Sequence, residues 1–185
     1  PKGDRITTKL LTTYDHPGRA VLEGITAVMD RTGLGPSDIG LIIHGTTLAT
    51  NALIERRGAK TALLTTEGHR DTLEMAHEDR FEQYDINIDR PIPLVPRHLR
   101  LPVRERMDRD GNILIELDES TILRHLSILE DYEIQSVAIG YLHAFVNPIH
   151  EIRTREILAN ARPDLSISLA CEVAPEIREF ERLST

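Results

Sequence analysis

The chain has 185 residues, and its 22 Lys and Arg against 30 Asp and Glu give a formal net charge of −8. That acidic balance argues against broad contact with nucleic acid or an anionic membrane surface. No apolar run approaches the ~20 residues of a bilayer span, and a single cysteine, Cys171, excludes an internal disulfide framework and fits a reducing, cytoplasmic setting.

Without Trp and with only three Phe, the core must be aliphatic. One basic run, Arg97, His98, Arg100, Arg104 and Arg106, is interrupted by Glu105 and reads as a solvated strand face. The chain opens at Pro1 without Met and stops within a helical pattern at "REFERLST". A portion of a longer protein is therefore expected, with 1–185 as a single domain.

In chain order, residues 5–11 alternate and read as a strand. Asp15 can cap a helix and Pro17 can occupy its first position. From Gly18 to Arg31, Val21, Leu22, Ile25, Val28 and Met29 recur at helical spacing. The run "IGLIIHG", 39–45, is continuously apolar, as in a strand buried on both faces. A helix is expected over 47–57, with Gly58 at its C′ position. Residues 60–66 form a second apolar strand, followed by a helix from about Glu67 to His77 with Thr66 as its cap.

Residues 78–98 carry three prolines and no periodicity, which predicts a long loop. Residues 99–117 flank Asp110-Gly111 and predict a hairpin. Asp118 caps a helix over 119–131, with Ile122, Leu123, Leu126 and Leu129 on one face. A third apolar strand covers 134–145, and Asn147-Pro148 opens a helix that ends before Pro163. "LSISLACEV" is a last strand, with Cys171 as a small buried hydrophobe, and another helix begins in "APEIREFERLST".

Apolar strands alternating with amphipathic helices define an α/β fold, a mainly parallel sheet with flanking helices and an inserted β-hairpin. Ligands of such sheets lie beyond the carboxyl ends of the strands. That rule selects three turns: 44–47, 65–71 and 143–147.

In the first turn, Gly45 permits close backbone approach, and Thr46 or Thr47 can cap a helix whose N–H groups then suit a phosphate or carboxylate. Thr50 and Asn51 lie one turn further, and His44 precedes them. A plain threonine cap accounts for the same residues. No Walker A or G-x-G-x-x-G pattern is present. In the second turn Arg70 can clamp an anion, with Asp71 beside it; a surface Arg70–Asp71 pair with His69 exposed is the alternative.

His77, Glu78, Asp79 and Arg80 lack zinc spacing and read as a solvated helix end. His143 either faces the cleft or is a hydrogen-bonded core histidine. His150 and Glu151 fall in a helix's first turn, where Glu151 suits the macrodipole. No metal ligand and no catalytic residue are assigned, and no Ser-His-Asp arrangement can be assembled.

Several stretches, in order, resemble the N-terminal region of the hydantoinase A/5-oxoprolinase family: "KLLTTYDHPGRAVLEGI", "HGTTLATNALIERRGAKTALLTTEGHRD", "RPIPLVPR", "VRERMDRDGNILIELDE", "LHAFVNPIHE" and "EVAPEIREFERLST". The resemblance implies part of an actin/sugar-kinase-like ATPase fold. It further implies ATP-dependent opening of a cyclic amide, hydantoin, N-methylhydantoin or 5-oxoproline, through a phosphorylated substrate, with ATP and Mg²⁺ as cofactors and a hydantoinase B-type subunit or domain as partner.

On that basis His44, Gly45, Thr46, Thr47, Thr50, Asn51, Arg70 and Asp71 are expected to contact substrate or phosphate. Members of the family carry a glycine-threonine-rich phosphate hairpin that would precede Pro1 and a larger domain that would follow "REFERLST". The isolated fragment is therefore expected to be inactive. His69 stands where the family has an aromatic residue, and Ala76-His77-Glu78 where it has a Gly-Arg-Gln-like stretch. Two alternatives accompany this reading: a subunit of an ATP-dependent ketone carboxylase, and a partner-docking module built on the 78–98 loop and the hairpin.

Overall fold

The computed structural model describes residues 3–13, 15–77, 82, 84–89 and 91–185. They form two compact units, Pro1–Leu48 and Ala49–Thr185.

The first unit is built on helix α1 (Pro17–Thr32). Pro17 lies in its first turn, where the missing N–H is no loss. Asp15 does not cap it: His16 is the N-cap residue, without a side-chain cap bond, and Asp15 pairs instead with Arg19. The Thr13 hydroxyl accepts the first-turn N–H of Ala20 at 3.3 Å. The helix closes on Gly33, whose φ of 69° is the left-handed conformation that glycine adopts without strain.

Val21, Ile25, Val28 and Met29 line an open apolar groove of ≈ 570 Å³ with Leu10 and Leu34. The strands expected over 5–11 and 39–45 do not form among the described residues. Strand character is a fit to a paired, half-buried surface rather than a backbone preference. Neither segment has a ladder partner among the described residues, and Leu41 and Ile43 remain 78% and 87% exposed.

Helix α2 (Leu48–Ile54) is shorter than the expected 47–57. Its left-handed closing position falls on Arg56, with φ 53°, rather than on Gly58. Arg57 N–H reaches Ala52 C=O at 2.9 Å and Arg56 N–H reaches Leu53 C=O at 3.2 Å, which is the Schellman pattern.

The second unit holds a four-stranded parallel sheet of β1 (Thr61–Thr66), β2 (Arg100–Val103), β5 (Ser136–Gly140) and β6 (Ser166–Leu169), in the order β2-β1-β5-β6. Central β1 is buried on both faces through Ala62, Leu63 and Leu64, as its continuous apolar run requires. Helices α4 (Glu119–Asp131) and α5 (Ile149–Ala161) accompany β5 and β6. Asp118 caps α4 through Ser120 N–H at 3.0 Å. Ile122 and Leu129 of α4 and Leu158 of α5 join the core with Val137, Ile139 and Leu169.

Several boundaries differ from expectation. The hairpin is confined to β3 (Arg106–Met107) and β4 (Ile113–Ile115). The first part of 99–117 is instead edge strand β2, where Pro102 is tolerated. The helix expected from Glu67 shrinks to α3 (Thr72–Met75), because Gly68 takes φ 87° and His69 N–H closes a turn on Thr66 C=O at 3.0 Å. The last strand ends at Leu169, so Cys171 lies in the helical turn α6 (Ala170–Val173). Helix α7 (Glu179–Ser184) brings Leu183 onto Gly140 so closely that any Cβ there would overlap it.

The basic run is only partly a solvated face: Arg97, His98 and Arg104 are exposed, but Arg100 is not. Arg100 is buried, donating to Val95 C=O at 2.9 Å and to Glu74 at 2.9 Å.

The sheet order sets the site. From β1 the chain runs to β2 on one side, then returns to β5 on the other. The carboxyl ends of β1 and β5 therefore diverge at a topological switch point, where open α/β sheets bind ligands.

Candidate functional site

A buried polar chain occupies that switch point. Thr66, the last residue of β1, accepts Leu142 N–H at 2.9 Å and donates its hydroxyl to Glu105. The second oxygen of Glu105 lies 2.8 Å from Nδ1 of His150. Glu105 follows β2 and His150 sits in the first turn of α5, so three elements converge on one carboxylate.

Among the described residues, Nε2 of His150, Nδ1 of His143 and Nε of Arg182 are buried without a hydrogen-bond partner. His143 also holds φ 57° in the turn after β5. That left-handed conformation costs a non-glycine residue roughly 1–3 kcal/mol and persists only where its surroundings impose it.

Beside this chain, Arg106 lies 2.6 Å from Nε2 of His69. A guanidinium only donates, so the His69 ring nitrogen is the acceptor. Burial first, and then the Arg106 charge, lower the His69 pKa below its ordinary value. The Glu179 and Glu105 carboxylates act in the opposite sense.

Below them, the fully buried Glu151 accepts Tyr141 N–H at 2.9 Å and Cys171 N–H at 3.0 Å. Burial raises the Glu151 pKa. Burial and the Glu151 carboxylate push the Cys171 thiol up to about 12, so it is a weak nucleophile. Arg182 stacks over Phe145 with its guanidinium 5.3 Å from the ring centre and donates to the Tyr141 carbonyl at 3.4 Å.

The residues selected from sequence fall in both units. His44, Gly45, Thr46 and Thr47 lie on an exposed segment of the first unit, outside any helix or strand. The Thr46 hydroxyl accepts Leu48 N–H at 3.2 Å, Gly45 has open space where a Cβ would stand, and His44 borders the apolar groove. Thr50 and Asn51 are exposed on α2.

In the second unit Arg70 and Asp71 do not pair with each other; both hold Arg97. Arg70 donates to its carbonyl at 2.7 and 3.1 Å, and Asp71 accepts its guanidinium at 2.7 and 2.9 Å. His69 is half-buried rather than exposed. His77 packs edge-on against Phe180 with ring centres 4.7 Å apart; Glu78, Asp79 and Arg80 lie outside the described residues. Among the described residues, no group of three or more His, Cys, Asp or Glu could hold a metal ion.

Sequence reasoning passed over Glu105, reading it as a break in a basic run, and took Thr66 for a helix cap. The signal for both was positional: each stands at or just past the carboxyl end of a parallel strand.

Residues 2–161 match the family model for the hydantoinase/oxoprolinase N-terminal region. The chain belongs to the hydantoinase/oxoprolinase family. It is 38% identical to the caprolactamase subunit alpha of Pseudomonas jessenii over 177 residues, which cover 92% of this chain and 25% of that one. It is 32% identical to the acetophenone carboxylase gamma subunit of Aromatoleum aromaticum over 200 residues, covering 99% of this chain and 27% of that one.

The crystal structure of the ATP-dependent caprolactamase from Pseudomonas jessenii superimposes with a TM-score of 0.83 at 37% identity, over 94% of this chain and 26% of that one. The α/β fold with its mainly parallel sheet is thus shared with ATP-dependent relatives. The chain spans about a quarter of the length of these relatives. None of its helices, among the described residues, is long and apolar enough to cross a membrane.

Proposed function

We propose that the whole protein carrying this hydantoinase/oxoprolinase-family region is an ATP-dependent hydrolase that opens a cyclic amide, a hydantoin, 5-oxoproline or a simple lactam, through a phosphorylated substrate. The observation that carries this reading is the family match over residues 2–161, joined by the likeness to an ATP-dependent caprolactamase. An amide carbonyl is a poor electrophile. ATP supplies the phosphoryl group that turns its oxygen into a leaving group, after which water attacks the carbon. The protein's contribution is position and charge stabilisation.

The segment 44–51 fits a phosphate or a polar substrate: it is exposed, carries three threonine hydroxyls, and is open at Gly45. His44, Gly45, Thr46, Thr47, Thr50 and Asn51 are proposed to make that contact. Arg70 and Asp71 of the second unit are proposed as further substrate or phosphate contacts. Mg²⁺, an ion bound largely through phosphates and water, is proposed to accompany the ATP.

The test is ADP release by the full protein against hydantoin, 5-oxoproline, caprolactam and acetone. Turnover with a cyclic amide and its loss in Thr46→Val/Thr47→Val is expected; unchanged turnover in that variant would remove these residues from the site. The acetophenone carboxylase relative supports a second reading, in which the same activation serves a ketone, and turnover of acetone alone would establish it.

The relatives named as subunits support a B-type partner subunit, with 78–98 and the hairpin as its docking elements. Recovery of that partner with and without 78–98 tests the placement. A cytoplasmic location belongs to the same proposal.

A further inference from the structure

Arg106 reaches the exit of β1 with its charge uncancelled. Its chain neighbours Glu105 and Met107 are each 1% exposed, and it pairs with Ile115 across the hairpin, so its backbone is held on both sides. Its own side chain is half-buried and stays within reach of solvent. The guanidinium meets Nε2 of His69 at 2.6 Å and, among the described residues, meets no carboxylate. The nearest in sequence, Glu105, is taken by Thr66 and His150.

The nature of the partner matters. A guanidinium only donates, so the His69 ring accepts on Nε2 and carries no charge while it does. A carboxylate in that place would hold the guanidinium as firmly but cancel its charge. A neutral ring orients the planar fork and leaves the positive charge, with N–H groups to spare, for a ligand. Burial and then the Arg106 charge lower the His69 pKa from 6.5, which keeps the ring in that accepting form near neutrality.

His69 belongs to the turn that ends central strand β1. There Gly68 holds φ 87° and has nothing within 4 Å of the position a Cβ would take, so the turn is open to solvent. The carboxyl end of such a strand is where parallel sheets place ligands. A cation would be repelled, and a neutral ligand would leave the charge unmet. The fork matches the paired oxygens of an oxyanion.

We propose that Arg106, oriented by His69, binds the phosphoryl group that ATP donates, either on the nucleotide or after its transfer. The proposal rests on the ATP-dependent reading above and deepens it.

Phenylglyoxal modification of the full protein, read by mass spectrometry on the peptide carrying Arg106, tests this without a variant that could misfold. The imido analogue of ATP, or inorganic phosphate added with ADP, should slow modification of Arg106. Protection by the analogue places the contact on ATP; protection only by phosphate with ADP places it on the transferred group. Protection by neither, or equal protection by ADP alone or by acetate at matched ionic strength, overturns the proposal. In parallel, His69→Gln keeps a neutral acceptor and should retain the affinity for the analogue. His69→Glu cancels the Arg106 charge and should weaken it at least about tenfold, the loss of one charge-assisted hydrogen bond. Equal affinities in the two folded variants overturn the role of His69. If the analogue protects Arg106 but no cyclic amide drives ADP release, the proposed activity fails and this contact stands. If a cyclic amide drives ADP release and Arg106 stays unprotected, the contact alone fails.

Discussion

Asp71 and Arg97 meet through a two-pronged ion pair, Nε at 2.7 Å and Nη2 at 2.9 Å, while Arg70 grips the Arg97 carbonyl. Two neighbouring residues of the turn after β1 thus fasten the start of the segment that leads into β2. The Arg97 hydrogen bond, ahead of its charge, holds the Asp71 carboxyl below its ordinary value of 3.8. An acid depressed in the folded state stabilises above its ordinary pKa, and this contribution fades as pH falls through the lower, folded value. Asp71→Asn should therefore speed amide exchange at Leu99 and Arg100 at pH 7, with the difference from wild type shrinking as pH drops below 3.8. Exchange rates equal at pH 7 would show that the clasp does not order this segment.

Glu151 titrates in the opposite sense. Burial raises its pKa above 4.5, so between that value and the folded one the native state holds the extra proton. Stability attributable to this group falls as pH rises through the window. Glu151→Gln should flatten that slope. The amide can accept from only one of the two N–H groups of Tyr141 and Cys171, leaving the other buried and unpaired, at about 1–3 kcal/mol. Urea unfolding between pH 4 and 8 reads both effects; an unaltered slope would assign the pH dependence elsewhere.

The same carboxylate governs Cys171. A thiol pushed up to about 12 is almost wholly protonated near neutrality, so alkylation by iodoacetamide at pH 8 should run at least about a hundredfold slower than for a free thiol. In Glu151→Gln the reaction should accelerate, since the charge opposing the thiolate is gone. A fast reaction in the native protein would contradict the buried, acid-flanked setting.

What the sequence disclosed follows from the range of the interactions involved. Helices α1, α4 and α5 were legible because their apolar spacing and their Pro17, Asp118 and Asn147-Pro148 signals lie within a few residues. Strands β1 and β5 were legible because an apolar run flanked by helices in a parallel sheet is buried on both sides. The run 39–45 shares that local pattern and 5–11 alternates as an edge strand would, yet a strand also needs a backbone neighbour in register, which no local pattern supplies. The strand-exit rule for parallel sheets located the turn at Thr66, but not its chemistry. Glu105 acquires its partners from Thr66 and His150, 39 and 45 positions away, so beside Arg104 and Arg106 it looked like one more surface charge.

Thr66 is where that long-range chemistry can be measured most directly. Its hydroxyl is donor to Glu105 and acceptor from Leu142 N–H within a fully buried setting. Valine fills nearly the same volume and offers neither function. Thr66→Val should leave one carboxylate oxygen and one backbone N–H without partners and destabilise the protein by roughly 2–4 kcal/mol. Thr66→Ser keeps the hydroxyl and should cost no more than about 1.5 kcal/mol, the loss of one buried methyl. The pair of variants separates hydrogen bonding from packing: equal losses in urea midpoint would mean that only the methyl group matters. A large loss in valine with a small one in serine would show that the hydroxyl ties β1, Glu105 and the turn after β5 into one framework around His150.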